Sequence, residues 1–124
     1  MDTDNSRRQE NAHEYETALK NIPLILPTIR KDATHVFHLY VIRCETRDAL
    51  KTHLQEHGVN SSIHYPVPVH HQDYYHNMAG NLSLPVTERA SETILSLPIY
   101  PELSAEDRNI VIKVIKAFYA KNEN

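Results

Sequence analysis

The 124 residues are enough for one domain with a modest core and too few for two full ones. At 40% hydrophobic and 23% charged, the chain falls in the folded, soluble class and outside the disordered, collagen-like and membrane classes. Thirteen Lys and Arg against sixteen Asp and Glu leave a net charge of -3, so no basic field exists to draw a nucleic-acid backbone.

Residues 2–20 are charged but place Ala12, Tyr15, Ala18 and Leu19 at helical spacing, which predicts a helix from about Ser6. Pro23 and Pro27 then bracket Leu24, Ile25 and Leu26 and predict an irregular connection through Thr34. The run His35-Val-Phe-His-Leu-Tyr-Val-Ile-Arg43 is β-branched and aromatic with little interruption, as expected of a strand buried on both faces. Thr46 is placed to open a helix over residues 46–57 that shares Ala49, Leu50 and Leu54 on one face, and Gly58 to close it in the left-handed conformation.

Residues 59–65 predict a second strand, stopped by Pro66 and Pro68. Residues 67–83 are polar, aromatic and rich in histidine without a clear period, which predicts a long loop with at most one helical turn. Pro85 suits the first turn of a short helix reaching Thr93, and residues 94–97 form a third strand ended by Pro98. Ser104 with Asp107 reads as a capping box. After it Ile110, Val111, Val114, Ile115 and Phe118 mark the stripe of a C-terminal helix. This order allows either a parallel sheet with crossover helices or a small α+β sandwich with helices on one face.

The first twenty residues are polar and the apolar runs are short, so neither a secretory leader nor a membrane span is expected. The single cysteine, Cys44, has no partner for an internal disulfide, and a reducing cytoplasm is the expected compartment. Gly58 and Gly80 stand alone, so the close-set glycines of a phosphate-binding loop are missing.

Nine histidines invite a metal reading. His35 and His38, three apart on a strand, point to opposite faces. His53 and His57, four apart on a helix, could share an ion, but no neighbouring motif supplies a third ligand and a solvated helix face explains them. His64, His70, His71, His76 and Asp73 form a looser cluster in which a zinc or iron site is the minor reading, and no residue is assigned as a metal ligand. Cys44 reads as a small hydrophobe, and Glu102, Glu106 and Asp107 as compensation for a helix dipole. No residue is assigned a catalytic role.

The segment Ile63-His64-Tyr65-Pro66-Val67-Pro68-Val69-His70 is more unusual. Two prolines stiffen a path that carries two imidazoles and a phenol, a ridge suited to orienting a polar ligand with little ordering cost. The alternative is a strand end whose Tyr65 packs into the core.

Four runs resemble, in order and spacing, the C-terminal part of the DegT/DnrJ/EryC1/StrS family of pyridoxal-phosphate-dependent sugar aminotransferases. They are residues 35–43, residues 59–70 with their His-Tyr-Pro-x-Pro-x-His core, and Leu84-Pro-Val-Thr-Glu-Arg89 followed by Leu95-Ser-Leu-Pro-Ile-Tyr-Pro-Glu-Leu103. The resemblance implies a small α+β domain, a sandwich of a three-stranded sheet with about four helices. Residues 1–34 would form the linker helix and connection, residues 35–124 the domain proper. It further implies that His64, Tyr65 and His70 lie near the active-site mouth and help hold a nucleotide-sugar.

In the family the lysine that holds the cofactor belongs to a large N-terminal domain. Lys20, Lys51, Lys113, Lys116 and Lys121 here fall on polar helix faces and Lys31 in the connection, so no cofactor-binding residue is expected in this chain and it should not transaminate alone. The expected partners are a separately encoded large domain and further copies of the chain in a homo-oligomer. A nucleotide-sugar is expected only in the complete enzyme, with no nucleic acid and no membrane. The alternative function is a self-sufficient binding module for a small ligand or a protein, using the histidine-rich loop.

Overall fold

The computed structural model describes residues 1–122 and is an α+β arrangement of helices around a small sheet. The elements are α1 (Asp2–Leu19), β1 (Tyr40–Arg43), α2 (Arg47–Glu56), a 3-10 turn (Val69–His71), α3 (Asp73–Ala79), α4 (Pro85–Thr93), β2 (Ile94–Leu97) and α5 (Ala105–Asn122). β1 and β2 pair antiparallel, with Tyr40 opposite Leu97 and Arg43 opposite Ile94.

The described residues form two strands where three were expected. Residues 59–65 meet the sheet at a single point, where Ser62 and Ser96 exchange backbone hydrogen bonds of 3.1 and 2.7 Å. Asn60, Ser61 and Ser62 offer no apolar alternation to bury, and Pro66 and Pro68 lack the amides that would extend a ladder. On the other edge, Ile25 makes a matching single bridge to Arg43.

The strand expected over residues 35–43 is halved. Phe37 takes a left-handed φ of 51° and its amide donates to His35 Nδ1 at 2.8 Å, a local bond that withdraws it from any ladder. Nor is the strand buried on both faces, since Tyr40 and Ile42 are buried while Val41 and Arg43 are half-covered.

Residues 67–83 hold more structure than a loop, namely the 3-10 turn and the two turns of α3, which Asp73 favours at the N-terminal end and Gly80, at φ 61°, ends. Among the described residues five α-helices stand where about four were expected. α1 begins at Asp2 and not near Ser6, with Asp2 and Asp4 in its first turn compensating the dipole. Gly58 takes the expected left-handed conformation after α2, at φ 75°. The Asp107 amide donates to the Ser104 hydroxyl at 3.0 Å, which is the first half of a capping box, while the Asp107 carboxylate accepts from that same hydroxyl at 2.8 Å, where a full box would have it accept from the Ser104 amide.

α5 packs against both α1 and α2. Its Val111, Val114, Ile115 and Phe118 are buried with Leu50 and Leu54 of α2, Ala12, Tyr15 and Leu19 of α1, and the inward residues of the sheet, while Ile110 turns outward. Each fully buried Leu or Ile contributes on the order of 1.5–3 kcal/mol by leaving water. Polar links tie α1 to α5 and to the segment before it: Arg108 of α5 donates to the Asn11 side-chain Oδ1 at 2.6 Å, and the buried Asn11 side-chain amide donates to the backbone carbonyl of Tyr100 at 3.4 Å.

Candidate functional site

His64 follows the single bridge at Ser62, and its Nδ1 shares a 2.8 Å hydrogen bond with the hydroxyl of Ser96. Ser96 is buried in β2, so the sheet fixes the imidazole from behind. The neighbouring Tyr65 ring stands edge-on to His64 at 5.6 Å and is 73% exposed. Its phenol faces outward, and packing into the core is not its role.

His70 is anchored elsewhere. It is buried in the 3-10 turn, with Nε2 3.0 Å from Glu88 Oε1. The ring of His71 lies 4.2 Å from that of His70 and brings its own Nε2 to 3.6 Å from the same oxygen. The Leu84 amide also donates to Glu88 Oε1, at 2.8 Å. One carboxylate oxygen thus gathers two imidazoles and the start of α4. The hydrogen bond from His70, reinforced by the Leu84 amide, holds the Glu88 carboxyl below its usual range.

α4 is itself fixed by Arg47, a buried side chain that donates to the carbonyls of Ser91 and Ile94, each at 3.0 Å. Residue pattern alone assigns Glu88 no role, although the run Leu84-Pro-Val-Thr-Glu-Arg89 contains it. The available signal was its place four residues after Leu84, at the N-terminal turn of a proline-opened helix, where a carboxylate bonds free amides.

The remaining candidates separate. His64 and His70 have different anchors, Ser96 and Glu88, while Asp73 and His76 lie on α3. Among the described residues, His70, His71 and Glu88 are the one set of three metal-capable side chains with ligating atoms within 4.8 Å of one another. His53 and His57 stack at 4.2 Å, but His53 Nε2 sits 3.2 Å from the Val114 carbonyl and His57 Nδ1 2.8 Å from the His53 carbonyl. Cys44 is buried, and burial pushes its thiol up, as suits an inert small side chain. Asp107 serves the cap of α5.

A concavity of about 500 Å³ lies between Gly58, Val59, Pro98, Tyr100 and α5, and none of His64, Tyr65 or His70 lines it. A pyridoxal cofactor would need an amine desolvated in a pocket and a backbone cradle for its phosphate. Lys20, Lys31, Lys113, Lys116 and Lys121 are exposed and Lys51 is half-buried, while Gly58 and Gly80 face open space. These residues do not fit that group.

Compared with known proteins, residues 1–116 match the model of the DegT/DnrJ/EryC1/StrS aminotransferase family. The chain is 43% identical over 119 residues to the erythromycin biosynthesis sensory transduction protein EryC1 of Saccharopolyspora erythraea, covering 94% of this chain and 32% of that protein. It is 36% identical over 118 residues to dTDP-3-amino-3,6-dideoxy-alpha-D-galactopyranose transaminase of Aneurinibacillus thermoaerophilus, covering 95% and 32%. Among solved structures, DesV of S. venezuelae in complex with a ketimine intermediate superposes with a TM-score of 0.92 at 38% identity, over 95% of this chain and 32% of that one. The chain therefore spans about a third of the length of the relatives it matches.

Proposed function

Since the chain belongs to the DegT/DnrJ/EryC1/StrS aminotransferase family, we propose that it is the C-terminal small domain of a pyridoxal-phosphate-dependent nucleotide-sugar aminotransferase, catalytically incomplete by itself. The observation that carries this reading is the coverage. Nearly the whole chain aligns with relatives named as transaminases of dTDP- and UDP-linked sugars, yet with only 30–32% of their length. The missing two thirds would supply the amine and the phosphate cradle that the six lysines and two glycines here do not provide.

In this reading His64, Tyr65 and His70 lie at the nucleotide-sugar side of the assembled active site. Support comes from their preset geometry. Ser96 holds His64, Glu88 holds His70, and prolines fix the path between them, so polar groups meet a ligand with little left to order. Tyr65, with its phenol already outward, is the member best placed to touch a ligand directly. We place the working protein in the cytoplasm, as a homo-oligomer joined to a large domain that carries the cofactor.

The test is reconstitution. Mixing this chain with a separately produced large domain should restore cofactor absorbance and transamination that neither shows alone. Absence of association at high concentration would contradict the reading. A nucleotide-sugar that raised the melting temperature of this chain alone would favour the independent binding module instead.

A further inference from the structure

We propose that His70, His71 and Glu88 form a site for a divalent metal ion of the zinc class, with Nε2 of each imidazole and one carboxylate oxygen as the protein ligands. This does not rest on the aminotransferase reading, because the three residues lie wholly within this chain.

The geometry carries it. Nε2 of His70 and of His71 stand 3.0 and 3.6 Å from the same Glu88 oxygen, and all three ligating atoms lie within 4.8 Å of one another. Zinc bonds of about 2.0–2.2 Å at tetrahedral angles set neighbouring ligand atoms roughly 3.4 Å apart. Two edges of the triangle already bracket that length. The remaining one closes by rotation of His71, the most exposed of the three.

Two imidazoles and a carboxylate are a donor set that zinc accepts with a further position left open. The supports are also in place. The Leu84 amide orients the carboxylate at 2.8 Å, the kind of outer hydrogen bond that steadies a metal-ligating group. Side-chain exposure rises from 6% at His70 through 28% at Glu88 to 47% at His71, so the site has a dry back and an open entry. The His53 and His57 pair is different, since among the described residues no third metal-capable side chain joins it within 4.8 Å.

The experiment is calorimetric titration of the untagged chain with zinc chloride. One equivalent should bind per chain, and Glu88→Gln and His71→Ala should each weaken binding by about tenfold or more. His57→Ala should leave it unchanged. Glu88 is partly and His71 more fully exposed, and circular dichroism melting of each variant checks that it remains folded. Lack of stoichiometric binding, an affinity equal to the parent's in either ligand variant, or a loss that follows His57→Ala would overturn the assignment.

Discussion

The Tyr15 hydroxyl donates a 2.9 Å hydrogen bond to the carbonyl of Pro98, fastening the first helix to the chain just beyond β2. The Tyr15 ring is fully buried and lies 5.1 Å from that of Tyr40 on β1. Helix α1 is thereby part of the core. Removing only the hydroxyl in Tyr15→Phe should cost about 1 kcal/mol, the net worth of a neutral hydrogen bond. Tyr15→Ala should cost about 3–5 kcal/mol, because it opens a cavity among Ala12, Leu19 and the sheet. Urea denaturation of the two variants checks both values, and a Tyr15→Ala protein as stable as the parent would mean that α1 is peripheral.

The same burial makes the protein sensitive to alkali. Tyr15, Tyr40 and Tyr119 have phenols pushed above their ordinary range chiefly by desolvation, which disfavours the phenolate. A raised value in the folded state means that the stabilisation is complete below the ordinary phenol value of about 10 and is lost as pH rises through the folded values. Denaturation midpoints should therefore fall steeply above about pH 10, and Tyr40→Phe should make that fall shallower. An identical alkaline limb in Tyr40→Phe would contradict the prediction.

The helices that bury a periodic stripe were legible in the sequence. Leu50 and Leu54, or Val111 with Val114 and Ile115, reveal their face because 3.6-residue spacing leaves few other ways to cover them. Strand pairing was not. The break at Phe37 depends on one left-handed residue and an imidazole two positions earlier, and the single bridge at Ser62 depends on a partner 34 residues away in Ser96. Half of the site was visible as well. The stiff ridge of His64, Tyr65 and His70 stood out, but Glu88 completes a cluster only because α4 folds back over the 3-10 turn, a tertiary event without local spacing.

Exposed large apolar side chains concentrate between Tyr65 and Val86, including Val69, Tyr74 and Met78. Such a surface tends to be covered. We expect the purified chain to self-associate in the micromolar range, measured by light scattering, and Val69→Glu with Met78→Glu to shift it toward monomer. A monomeric parent would argue that this face needs no cover.

Where the cofactor amine lies decides whether this chain is an incomplete enzyme. The direct measurement is incubation of this chain with pyridoxal phosphate, borohydride reduction and mass spectrometry of the lysines. With five lysines exposed and Lys51 half-buried, labelling should be scattered and well below one equivalent at any site. One full equivalent fixed at a single lysine would show that the chain holds its own cofactor and would contradict the reading as an incomplete enzyme.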